Sequence, residues 1–135
     1  MKIAMIIVRT LMGLLFLFAS VTYFMMVMGM FPMPPVEGAV KTFNEGLAAS
    51  GYFFTLLKIT EFVCAILLLT GRFVPLALVI LSPIVINIFM VHFFLDRSMP
   101  GPVISIFLVA ATIFLAYCYR DAFKPLLKAN YEPLR

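Results

Sequence analysis

Within the apolar run Tyr52-FFTLLKITEFVCAILLLTG-Arg72, a lysine and a carboxylate stand three positions apart: Lys58 and Glu61. Residues at that spacing share a helix face. A charge near the centre of a bilayer costs roughly 2.5–3.5 kcal/mol on insertion scales, and such groups face a bundle interior or a water-filled cavity. The pair is therefore expected to look inward together. A carboxylate and an ammonium held there can neutralise one another, exchange a proton, or meet the polar end of a ligand.

Arg9, Asn87 and His92 also fall inside apolar runs. If the segments carrying Glu61 and Asn87 are antiparallel helices rising 1.5 Å per residue, Glu61 lies roughly 13 Å and Asn87 roughly 12 Å below one membrane boundary, which makes them level. By the same arithmetic Lys58 lies roughly 9 Å deep and His92 roughly 4–5 Å deep. The four groups are expected to form a polar ladder from that surface to mid-membrane. Each also has a plainer role, His92 as a hydrogen-bonded interfacial residue and Asn87 as glue between helices. Arg9 admits two readings. It either snorkels to the nearer headgroups or turns into the bundle toward Glu61.

The elements that must position these groups follow from composition. The chain has 135 residues, 64% of them hydrophobic and 12% charged, outside the range of soluble domains. It reads as one domain, an all-α integral membrane four-helix bundle, with spans near residues 3–31, 52–70, 73–95 and 102–119 and a basic tail over 120–135. The first run is longer than the 7–15 residues of a signal-peptide core, so it is expected to be a retained span. Pro32, Pro34 and Pro35 are expected to end it. Over residues 36–50, Val36, Val40, Phe43 and Leu47 recur at helical spacing opposite Glu37, Lys41 and Glu45, which predicts a short amphipathic helix on the surface. Gly71 suits a helix C-cap, and Pro83 should kink the third span.

Cys64 and Cys118 form no C-x-x-C pair, so a disulfide scaffold and a zinc site are not expected. Met26, Met30 and Met33 would share a face if the first helix reached that far, a spacing that suits Cu(I) or simple packing. Packing is the reading preferred here, with no metal. The net charge of +4 comes from Lys and Arg at segment ends and in the tail, which indicates topology and anionic lipid rather than nucleic acid. With four spans, Lys2, Arg72, Arg120, Lys124, Lys128 and Arg135 share one side and Lys41 and Arg97 the other. Both termini are expected in the cytoplasm.

Arg9-TLMGLLFLFAS, Phe43-NEGLAASGY, Lys58-ITEFVCAILLLTGRFVPLAL and Ser82-PIVINIFMVHFFL together resemble the DoxX-like family of small four-helix bacterial membrane proteins, over about residues 3–95. Arg9, Gly13, Phe16, Glu61, Gly71, Pro75, Asn87 and His92 match positions of that family's pattern. Where many members look like S-G-x-x-K in the first segment, this chain has Ala19-Ser20-Val21-Thr22-Tyr23, without the glycine or the lysine. The resemblance implies a bacterial inner-membrane protein linked to quinones and to membrane oxidoreductases, with a quinone as the expected ligand and an external electron partner. Two other functions fit the residues. One is a non-catalytic assembly factor or scaffold, and the other a small-solute or proton-coupled transport module, which with so few helices would need a homodimer.

Overall fold

A computed structural model describes residues 1–134. Arg135, counted above among the basic residues of the tail, lies outside the described residues. The described chain is helical throughout its regular structure, in the order α1 (Lys2–Val27), α2 (Ala39–Ala48), α3 (Phe53–Thr70), α4 (Val74–Met90), α5 (Gly101–Cys118) and α6 (Arg120–Phe123). A π-helical turn, Val91–Leu95, prolongs α4, and a 3₁₀ turn, Lys124–Leu127, follows α6. Four of these helices are long and apolar enough to cross a membrane: Lys2–Val27, Phe53–Thr70, Val74–Leu95 and Gly101–Cys118. The protein is a multi-pass membrane protein, and its apolar outer faces suit lipid.

Around the bundle, α1 packs on α3 and α5, and α4 packs on α3 and α5. The most extensive packing is between α1 and α3. Gly13 makes it possible, because a Cβ there would stand 3.0 Å from Leu69 and 3.3 Å from the Ala65 carbonyl oxygen. The four long helices bring the chain back to the side on which it began, so one end of the bundle carries both termini and the other carries α2.

The buried core is not spread evenly along the bundle. Met12 and Phe16 of α1, Cys64, Ala65 and Leu68 of α3, Val74 to Val85 of α4, and Leu108 to Leu115 of α5 form one cluster. Apart from Phe16, Val85 and Leu108 near mid-helix, these positions lie toward the termini end. The half nearer α2 is left without a packed centre, and this places the site.

The first helix stops at Val27, short of the expected end near residue 31. Gly29 has φ 83°, its N–H donates to the Met26 carbonyl, and the Met30 N–H donates to the Met25 carbonyl, both at 3.0 Å. This is a Schellman closure, in which a left-handed glycine satisfies the last carbonyls. Glycine therefore ends the helix before the prolines are reached. Met26 is helical while Met30 and Met33 are not, so the three share no helix face.

Pro83 stays inside α4 and does not end it. Side chains bond the carbonyls around it: Ser82 Oγ donates to the Leu78 carbonyl at 2.6 Å, and Asn87 Nδ2 donates to the Pro83 carbonyl at 3.1 Å. Past Met90 the chain adopts the wider π turn, closed by the Asp96 N–H donating to the Val91 carbonyl at 2.8 Å. No pattern in the sequence announced that turn. It carries His92. The expected amphipathic helix is present as α2, with Val40 buried beneath it.

Candidate functional site

In the half of the bundle nearer α2, the four spans enclose an open cavity of about 710 Å³. Its wall is largely apolar, with Phe16 and Ala19 of α1, Leu57 of α3, Ile84 and Ile88 of α4, and Leu108 of α5. Phe43, Asn44 and Leu47 of α2 complete the lining at the loop end. The amphipathic pattern that sends the apolar side of α2 inward thus makes it a roof over the cavity.

Lys58, Glu61, Asn87 and His92 all line this one space. The expected ladder is assembled, but Arg9 is not part of it. On α3, Lys58 Nζ donates to Glu61 Oε2 at 3.1 Å, with the lysine side chain 19% exposed and the glutamate 3%. No other hydrogen bond to Glu61 from a side chain forms among the described residues. The Tyr23 ring of α1 lies 5.9 Å from the same ammonium. The carboxylate thus belongs to Lys58, and the pair is close to neutral.

Asn87 spends one amide hydrogen on the Pro83 carbonyl and keeps its side chain exposed on the α4 wall. His92 presses against Gly101 at the start of α5, where a Cβ would collide with the imidazole. Its Nδ1 is buried there without a hydrogen-bond partner, which leaves Nε2 as the ring nitrogen available to a ligand. Chemically, the cavity offers an apolar slot with an amide, an imidazole and an ion pair on its walls.

Arg9 lies at the termini end. Its Nη1 donates to the Tyr119 hydroxyl at 3.2 Å, and its guanidinium lies over Gly71, where a Cβ would come within 2.8 Å of Nη1. Of its two expected roles, the contact with Glu61 is ruled out by geometry. Arg9 is level with Gly71, and ten residues of α3 separate Gly71 from Glu61, roughly 15 Å along the axis. This place at the termini end is the one the snorkelling reading expects, and Tyr119 and the α3–α4 turn orient the guanidinium there.

Compared with family models, with curated proteins and with solved structures, the chain has no match. The reading of the site therefore rests on its own residues. Sequence reasoning missed Asn44, Tyr23 and Tyr119. Asn44 lies on the apolar side of α2 next to Phe43, a polar interruption that could have marked it. Tyr23 follows Lys58 only if α1 and α3 are known to be antiparallel neighbours. For Tyr119, nothing local pairs it with a residue 110 positions away.

Proposed function

We propose that the protein is a DoxX-like, redox-linked membrane component whose cavity binds a quinone or a similar lipid-soluble carbonyl compound. The observation that carries this reading is the single cavity that joins an apolar wall to Lys58, Glu61, Asn87 and His92. Its volume of about 710 Å³ falls in the range of ligand pockets, roughly 300–1,000 Å³. An apolar ring and the first part of a prenyl tail suit the wall, and carbonyl oxygens suit donors of the kind that Asn87 Nδ2, His92 Nε2 and Lys58 Nζ provide. The donor set therefore fits the group.

A bound quinone would supply two-electron redox chemistry, with electrons coming from a separate oxidoreductase. The chain's own part is to bind and orient the ring and to hold protons. Glu61 and Lys58 are the groups able to hold or pass a proton on the α3 wall of the cavity, and His92 nearer its α2 end. The excess of Lys and Arg at the termini end favours a bacterial inner-membrane orientation with both termini cytoplasmic, which puts the cavity and its α2 roof in the outer half of the membrane.

Titrating the purified protein with menaquinone analogues tests this reading. Saturable binding that weakens in Glu61→Gln and in Asn87→Leu is expected, and its absence in the parent protein sinks the idea. One observation favours a second reading, a non-catalytic assembly factor or scaffold. Lys58 neutralises Glu61 without any ligand. Under that reading, membrane partners co-purify reproducibly while quinone analogues do not bind.

A further inference from the structure

We propose that Arg9, seated over Gly71 and oriented by Tyr119 at the termini end, is a binding site for a phosphate anion, supplied by a phospholipid headgroup. This site is separate from the cavity and does not depend on what the cavity binds. Its first support is an unbalanced cation. The ion pairs Lys41–Glu45, Lys58–Glu61 and Lys124–Asp121 leave Arg9 out. The nearby acid in the tail, Asp121, is already 2.8 Å from Lys124.

The second support is unused hydrogen-bonding capacity. A guanidinium carries five N–H donors in a planar fork. Only one bond from Arg9 is formed among the described residues, from Nη1 to a neutral hydroxyl, and Nε is buried with no partner. A partly buried charge whose Nε is shielded from water is costly to leave this way unless an opposite charge reaches it. Phosphate oxygens match that fork two at a time.

The third support is placement. Gly71 is the C-cap of α3, with φ 75°, where the chain turns between two spans, so Arg9 sits at the depth of a helix end. Gly71 leaves the room that the guanidinium occupies, since a Cβ would stand 2.8 to 3.1 Å from its atoms. The residues that adjoin Arg9's two contacts in sequence, Arg72 and Arg120, are also cations and are exposed. Arg120 is occupied with the Tyr117 carbonyl and ring. At a membrane boundary the abundant anion is the phosphodiester, and its acyl chains would lie along the exposed apolar side chains of the bundle.

Native mass spectrometry of the detergent-purified protein tests the proposal, with phosphatidylglycerol set against a galactolipid that has no phosphate. Thermal unfolding with and without inorganic phosphate forms the second arm. Phosphatidylglycerol should be retained in preference to the galactolipid. That preference should fall roughly tenfold in Arg9→Gln, the loss of a charge-assisted fork, and less in Arg9→Lys, which keeps the charge. Lys41→Gln, on α2 at the opposite end of the bundle, should leave it unchanged. A stabilising shift with inorganic phosphate that vanishes in Arg9→Gln would support the same site with free phosphate as its source. Equal retention of the two lipids by the parent protein, with no phosphate shift, overturns the proposal and leaves Arg9 to Tyr119 and the helix end alone. The parent comparison stands even if Arg9→Gln does not fold.

Discussion

The Lys58 ammonium lies 3.1 Å from the Glu61 carboxylate, one turn apart on the same face of α3. Because the glutamate is 3% exposed and the lysine 19%, the two substitutions that break the pair are not equivalent. Lys58→Met strands a carboxylate that has nowhere to go and should destabilise by about 3 kcal/mol, the scale for breaking a buried pair. Glu61→Gln leaves a long ammonium that can reach toward the cavity, and should cost less. Replacing both with apolar residues should recover most of the loss. Thermal unfolding of the three variants in one detergent measures this, and equal losses in the two single variants would contradict it.

At the opposite end of α3, Gly71→Ala should destabilise by about 1–2 kcal/mol from the left-handed backbone alone. The new Cβ would also stand 2.8 Å from Arg9 Nη1, so the guanidinium must move and its bond to Tyr119 should weaken. Two residues on, Phe73 is a bulky side chain with φ 55°. Phe73→Asn should therefore act in the other direction and raise stability, since asparagine tolerates this conformation better. A higher midpoint for Phe73→Asn and a lower one for Gly71→Ala are the expected pair.

Most of the architecture was legible because apolar runs and their interruptions are local signals. The spacing of Lys58 and Glu61 placed them on one face, Gly71 read as a cap, and the alternation of Val40, Phe43 and Leu47 with Lys41 and Glu45 predicted α2. Features that depend on partners were not legible. Arg9 is oriented by Tyr119, and no rule of spacing connects the two. The methionine run stays apolar past Val27, so hydropathy extends the helix that Gly29 closes. The cavity depends on which half of each span is buried. Four spans of even hydropathy do not disclose that.

Acid titration separates the polar connections from the bundle. Asp96 is held below the usual carboxylate range by hydrogen bonds from the Ser98 side chain and backbone, and Asp121 by the hydrogen bond and charge of Lys124. A carboxylate whose folded value is depressed contributes stability above its unfolded value, and that contribution is lost as pH falls through the folded value. Both groups are fully exposed, so local order in the loop and the tail should be lost below about pH 4 while the spans persist. Ser98→Ala should return Asp96 toward 3.8, as read by the NMR titration of its carboxyl carbon.

Two glycine substitutions distinguish the cavity's roof from its polar wall. Gly46 lies inside α2, and a Cβ there meets nothing within 4 Å. Gly46→Ala should strengthen the roof by roughly 0.5–1 kcal/mol through helix propensity, without altering the space beneath. Gly101→Ala would drive a Cβ into the His92 imidazole and displace the ring. If His92 Nε2 meets the ligand, a menaquinone analogue should bind the Gly101→Ala protein more weakly and the Gly46→Ala protein as well as the parent. Far-UV circular dichroism should be unchanged in both. Undiminished binding in Gly101→Ala would remove His92 from the site and leave Asn87 and the Lys58–Glu61 pair to hold the ligand's polar end.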